Sequence, residues 1–248
     1  MKYNVTLLAL LIFVLTQNTN AQISSVCYTF NGPNGAKPVD GMTVGPDGKM
    51  YGTTSEGGEF GFGTVFQLTT NGVVTTLYSF DNTNGNCPSS RLTWGPDGKF
   101  YGLTELGGDY DYGTLFRVTT NGVLETLVSW EGFGPVAWAL AGTAEPGLTV
   151  GADGRLYGAT YVGGAFQEGN LFVLTTNGTY TWLADFDGTN GGFPNAKMIL
   201  APDGNLYGAT WQGGTYGDGT IFRLSTNGSF TTLVNFDGTN GSGPDSLV

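Results

Sequence analysis

Four occurrences of Tyr-Gly, at Tyr51-Gly52, Tyr101-Gly102, Tyr157-Gly158 and Tyr207-Gly208, stand 50, 56 and 50 residues apart and sit in the same surroundings each time. A Gly-Pro-Asp-Gly type turn comes first. Then follow Tyr-Gly-x-Thr, a Gly-Gly pair, Gly-Thr-x-Phe, Thr-Asn-Gly, and a segment ending in Phe or Trp. Self-similarity at a period near 50 residues restricts a chain to a solenoid, a propeller or an array. It speaks to architecture; a chemical function does not follow from it.

The first copy shows what each unit folds into. A short apolar run, Met42-Thr43-Val44, is stopped by Gly45-Pro46-Asp47-Gly48. There Pro presets φ, Asp bonds its own backbone and Gly accepts positive φ, so a tight hairpin turn is expected. Residues 49–54 alternate as a second strand, residues 55–63 are Gly-rich and irregular, and residues 64–68 form a third strand. Thr70-Asn71-Gly72 is a hairpin turn, and residues 73–80 are a fourth strand ended by Asp81-Asn82-Thr83-Asn84-Gly85. No helical period appears. Four short antiparallel strands repeated radially are propeller blades. A parallel β-solenoid is the competing arrangement, but its coils are shorter and need no two tight turns per repeat.

The expected fold is therefore all-β, a β-propeller-like array of four four-stranded antiparallel blades. Its repeats cover about residues 38–87, 88–143, 144–193 and 194–243, within a domain of residues 22–248. Residues 26–30 match a fourth strand with no first three before it, and residues 244–248 match the start of a fifth unit. The array is thus expected to be an open part of a larger propeller, with exposed strand edges that favour association. The phenylalanines of the third strands, Phe66, Phe116, Phe172 and Phe222, are expected in the core.

Residues 1–21 read as a signal peptide: Lys2 gives a positive start, residues 5–15 an apolar stretch, and Thr19-Asn20-Ala21 a small-residue cleavage site. The apolar stretch is too short for a membrane span. The mature chain is then secreted or at the cell surface, with no membrane insertion after signal removal. Net charge is −11 with 9 Lys and Arg, which excludes nucleic acid as a partner, because phosphate recognition needs clustered cations. Cys27 and Cys87 are the two cysteines. An oxidising compartment permits them to pair, but Cys87 is placed in a connection and Cys27 in a strand.

The pattern Leu-Thr-x-Gly-x-Asp-Gly-x-x-Tyr-Gly-x-Thr, with the later Gly-Gly, Gly-Thr-x-Phe and Leu-x-x-Phe, resembles the GloVer ("choice-of-anchor") tandem repeat of secreted bacterial proteins. The resemblance covers nearly everything after residue 21. It implies an exported, propeller-like array, often held at the surface by a C-terminal sorting region of varying type. The chain departs from that pattern in lacking such a region and in the longer connection at residues 131–146.

Chemistry is constrained by the absence of histidine, which removes His-activated nucleophiles, the usual zinc sites and the commonest general base. Catalysis would rest on carboxylates that converge, about 5–9.5 Å apart for a glycosidase. The regularly spaced Asp47, Asp97, Asp153 and Asp203 sit where a turn explains them. The Asp187 and Asp237 loops carry one carboxylate each and read as Asx turns rather than calcium loops. No catalytic residue, metal site or cofactor is assigned.

What remains is a division between two faces. The tight turns leave by one face of a meander, and the long, variable connections leave by the other, where function concentrates. One column in those loops is always aromatic: Phe60, Tyr110, Phe166 and Tyr216. Such rings suit a sugar or peptide surface; the packing alternative is that they plug the gap between blades. Tyr161 and Trp211, which break the repeat where the other copies hold Ser55 and Glu105, are the stronger ligand candidates. The resulting expectation is a non-enzymatic module that binds or adheres to an extracellular glycan or protein. The alternatives are a carbohydrate-active lyase or hydrolase with an acid pair partly in further repeats, and a purely structural surface array.

Overall fold

The computed structural model describes residues 28–39, 41–131 and 147–244. The signal-peptide reading, Cys27 and residues 132–146 lie outside the described residues. The first repeat forms β1 (Ala36–Pro38), β2 (Thr43–Val44), β3 (Met50–Glu56), β4 (Thr64–Leu68) and β5 (Val74–Ser79). The second forms β6 (Asn86–Pro88), β7 (Thr93–Trp94), β8 (Phe100–Leu106), β9 (Thr114–Val118) and β10 (Leu124–Ser129). The third gives β11 (Thr149–Val150), β12 (Leu156–Thr160), β13 (Asn170–Leu174) and β14 (Tyr180–Asp185). The fourth gives β15 (Ile199–Leu200), β16 (Leu206–Thr210), β17 (Thr220–Leu224) and β18 (Phe230–Asn235). Each repeat is one antiparallel sheet, and no helix occurs among the described residues. The chain is a β-propeller array of four blades.

The turn motif and the Tyr-Gly motif turn out to be one device. Asp47 Oδ1 accepts the Lys49 amide at 3.2 Å, and its Oδ2 accepts the Tyr51 hydroxyl at 3.0 Å. The same phenol-to-carboxylate bond joins Tyr101 to Asp97 at 3.0 Å, Tyr157 to Asp153 at 2.8 Å and Tyr207 to Asp203 at 2.8 Å. A Cβ on Gly45 would stand 2.6 Å from the Tyr51 ring, so the turn must begin with glycine for the ring to lie under it.

The glycine of Tyr-Gly has a second neighbour. Gly52, Gly102, Gly158 and Gly208 pair across the sheet with Phe66, Phe116, Phe172 and Phe222. A Cβ on these glycines would meet the ring at 2.8, 2.4, 2.3 and 2.2 Å. Each Phe thus lies flat over a strand that offers no side chain, and is 3% exposed or less.

Three cores lie between blades. Tyr51, Val65 and Phe80 of the first face Leu92, Phe100, Phe116 and Val118 of the second. Tyr101, Leu103, Leu115 and Trp130 face Leu148, Leu156, Phe172 and Leu174. Tyr157, Leu171, Val173 and Phe186 face Met198, Leu206, Phe222 and Leu224. Period-two alternation therefore buries both faces of the inner blades.

Two expectations are refined. The first strand is split: Ala36–Pro38 and Asn86–Pro88 pair with the far end of the second strand, through Lys37 at φ 52° and Cys87 at φ 54°. Cys87 therefore lies in a strand, not in a connection. Tyr28 to Phe30 form no strand among the described residues, yet Phe30 stacks edge-on against Phe66 at 5.0 Å as Phe80 does against Phe116 at 5.2 Å. The four sheets do not close into a ring. Tyr207 and Ile221 are only half-buried, and Ile199 and Leu233 are exposed, on the side of the fourth blade that matches the covered sides of the others.

This asymmetry gives a stability test. Phe116→Ala empties a filled junction and is expected to cost about 3–5 kcal/mol. Tyr207→Ala, at the uncovered face, is expected to cost less than half as much as Tyr157→Ala when both are read by urea unfolding. Equal costs would contradict the arrangement of the junctions.

Candidate functional site

The antiparallel order places the β3–β4, β8–β9, β12–β13 and β16–β17 loops on one face, with the exits from the fourth strands. The aromatic column lies in those loops and is open to solvent: Phe60 is 51% exposed, Tyr110 51%, Phe166 59% and Tyr216 64%. The column is thus not wedged between blades. Gly-Gly pairs hold the loops in shape; Gly57 and Gly58, at φ 76° and 84°, sit against the backbone at Gly32 to Ala36 and against Thr64.

Tyr161 and Trp211 differ from one another. Trp211 is 37% exposed and its ring lies beside Gly243. Tyr161 is half-buried, with its ring centroid 5.4 Å from that of Phe193. Burial raises its hydroxyl pKa above the ordinary tyrosine value. The two residues therefore present unequal surfaces.

A feature without a counterpart in the sequence reading lies where the second and third blades meet. An open cavity of about 610 Å³ is lined by Val128 to Glu131, by Gly163, Gly164 and Gln167 of the β12–β13 loop, and by Tyr180 and Trp182. The rings of Trp130, Tyr180 and Trp182 cluster, with centroids 5.0 Å (Trp130–Tyr180), 5.0 Å (Tyr180–Trp182) and 6.3 Å (Trp130–Trp182) apart. Trp182 is 50% exposed. Among the described residues the Trp130 Nε1 and Tyr180 hydroxyl are buried without a hydrogen-bond partner, and burial pushes the Tyr180 pKa well up. The signal was present in sequence, as Trp182 occupying a position that holds Thr76, Thr126 and Thr232 elsewhere.

The carboxylates are otherwise engaged. Asp187 Oδ1 accepts the Thr189 amide at 2.9 Å, the Thr189 hydroxyl at 2.7 Å and the Asn190 amide at 2.9 Å, an Asx turn that Asp237 repeats. Among the described residues no group of three His, Cys, Asp or Glu could hold a metal ion. Hydrogen bonds from Asn205 and Tyr207 hold Asp203 below the ordinary carboxylate range. Asp153 is also lowered; burial opposes this, and bonds from Arg155 and Tyr157 outweigh it. Glu105 is raised by burial, beside the Cys87 thiol at 3.7 Å, which burial and Glu105 push up to about 12.

A model of the Gloeobacter/Verrucomicrobia repeat matches residues 11–145 and again residues 139–248. Comparison with curated proteins finds no match. Among solved structures, the chain is similar to a virginiamycin B lyase from Staphylococcus aureus, at 19% identity and TM-score 0.52, over 84% of this chain and 58% of that one. It is similar to a putative gluconolactonase at 14% identity and TM-score 0.51, over 84% and 66%. A gluconolactonase from Xanthomonas campestris matches at 13% identity and TM-score 0.52, over 82% and 63%. The chain spans less than two thirds of each of these proteins, and at such identity the likeness is one of fold.

The Asp–Tyr pairs predict a two-sided pH profile. Tyr51 and Tyr101 are pushed up to about 12, by burial first and then by the bonded aspartate. Their raised pKa contributes stability that is full below about pH 10, the unfolded value, and is lost as pH climbs toward 12. The depressed Asp153 and Asp203 contribute stability present above about pH 4 and lost as pH falls below it. Urea midpoints should therefore be flat between these limits and fall on both sides, with the alkaline fall softened in Tyr101→Phe. An alkaline limb identical in that variant would contradict the pairing.

Proposed function

Because the chain belongs to the Gloeobacter/Verrucomicrobia repeat family and folds as propeller blades, we propose that it is a secreted or cell-surface binding module without enzymatic activity. Its long-loop face would engage an extracellular polymer or protein. The observation that carries this reading is the row of exposed rings, one per blade, at Phe60, Tyr110, Phe166 and Tyr216. Four aromatics kept in register and open to water contribute little to packing. Spaced along one face, they offer large, rigid contact area at small entropic cost.

The carboxylates support the same reading. A hydrolase or lyase needs an acid pair with separated pKa values, one of them raised. The repeated aspartates instead close turns and bond tyrosines, and Asp47, Asp153 and Asp203 are held low rather than high. The lyase and lactonase activities named for the similar structures belong to those proteins. Charge adds a constraint: with a net −11, the partner is neutral or cationic rather than polyanionic.

The test is a combined replacement of the row, Phe60, Tyr110, Phe166 and Tyr216 each to Ser. Stability should stay within about 1 kcal/mol per site, as for exposed positions. Depletion of the protein by insoluble neutral polysaccharides, and its retention on immobilised surface proteins, should both be measured for wild type and variant. Retention on one of these that falls with the row supports the proposal. No retention at all, or retention indifferent to the row, overturns it.

A further inference from the structure

At three places the chain leaves one blade and enters the next through the same plug. Asn34, Asn84 and Asn190 present a backbone carbonyl that accepts a hydrogen bond from Thr76, Thr126 and Thr232 on the following blade's outer strand, at 3.3, 3.4 and 2.9 Å. The glycine after each asparagine seats on a buried pair of threonine hydroxyls. A Cβ on Gly35, Gly85 or Gly191 would fall 2.7, 2.6 and 2.7 Å from those side chains. Thr54 with Thr64, Thr104 with Thr114 and Thr210 with Thr220 form the pairs, at 2.8, 2.9 and 2.8 Å.

The junction between the second and third blades keeps Thr160 at the first threonine position and otherwise departs from this. The sequence after Trp130 holds no Asp-x-Thr-Asn-Gly motif. Trp182 stands where the others have threonine, and Asn170 replaces the second threonine of the pair, bonded to Thr160 at 2.9 Å through its Oδ1. Trp130 stands where Phe80 and Phe186 stand. Among the described residues, three buried polar atoms are then left without a partner at this one junction: Trp130 Nε1, Asn170 Nδ2 and the Tyr180 hydroxyl. Buried groups of this kind are costly when unpaired, so their clustering calls for a cause. Where the other junctions share these contacts, coordinated change at Trp130, Asn170 and Trp182 is not drift of a loop.

We propose that the cavity at this junction is a subsite for a neutral pyranose unit of an extracellular glycan. The proposal rests on the binding-module reading and names its ligand class. A half-exposed indole at Trp182 gives the flat apolar face on which the C–H side of a sugar ring stacks. The Trp130 N–H and the Tyr180 hydroxyl supply hydrogen-bond groups that sugar hydroxyls can pair, and the Gln167 amide lies at the same rim. Glu131, also lining the cavity, accepts from hydroxyls and repels uronate or sulfate. At about 610 Å³ the space takes one or two sugar rings rather than a helix or a folded partner. The subsite is continuous with the exposed row: Phe166 shares its loop with Gly164 and Gln167, and Tyr110 donates to Glu131 at 3.4 Å.

The test is titration of the purified protein with cellohexaose, xylohexaose, mannohexaose, chitohexaose and maltohexaose, and with polygalacturonate as the anionic control, by calorimetry and tryptophan fluorescence. At least one neutral hexasaccharide should bind and polygalacturonate should not. Trp182→Thr, which restores the residue of the other blades, should weaken binding tenfold or more; Trp182→Phe should recover part of it. Gln167→Ala, at the rim, should weaken binding severalfold and serves as the probe if Trp182→Thr fails to fold. Absence of binding by all five, preference for polygalacturonate, or binding unaffected by Trp182→Thr and Gln167→Ala would overturn the subsite. If sugar binding is lost with the aromatic row but indifferent to these variants, the subsite falls and the binding-module reading stands.

Discussion

In each blade a phenylalanine of the third strand lies over a glycine of the second, and the rest of the molecule is arranged around that contact. The glycine removes the one side chain that would lift the ring off the sheet. The ring then fills the gap to the preceding blade, where Phe80 meets Phe116, Trp130 meets Phe172 and Phe186 meets Phe222 at centroid distances of 5.2, 5.9 and 5.4 Å. Because the same ring closes both a cross-strand pair and an inter-blade core, blade packing is fixed locally, repeat by repeat. Stability in such an array is a sum of units and nearest-neighbour junctions.

The neighbouring tyrosine points the other way and does a complementary job. Its ring covers the following blade's second strand, as Tyr51 does against Phe100 at 4.3 Å, while its hydroxyl ties the Pro-Asp-Gly turn from beneath. Tyr-Gly is thus two opposite-facing contacts in adjacent residues. The tight-turn face is consumed by these bonds, which leaves the long-loop face to vary.

Much of this was legible from the sequence. Strand and turn positions followed from alternation and from Pro, Asp and Gly at fixed places, and the buried Phe66, Phe116, Phe172 and Phe222 followed from their column. The split first strand was not legible. It depends on Lys37 and Cys87 taking a left-handed backbone that neither residue type announces. The exposure of the Phe60 column was also ambiguous, because repetition is equally the mark of packing and of a repeated surface. The cavity at the second junction escaped notice because it arises from substitutions far apart in sequence. Trp182 breaks its column of threonines, but it, Trp130 and Asn170 become a site only where the fold brings the three positions together.

On the proposed reading the exposed row carries the polymer, and the junction where the repeat is broken seats a sugar ring. Hydrogen–deuterium exchange with and without a saturating neutral oligosaccharide tests that most directly. Added protection is predicted to be greatest in the segments around Trp130, around Gly163 to Gln167 and around Trp182, and to exceed that in the equivalent segments of the first and fourth blades. Protection spread evenly over all four blades, or confined to the tight-turn face, would contradict it.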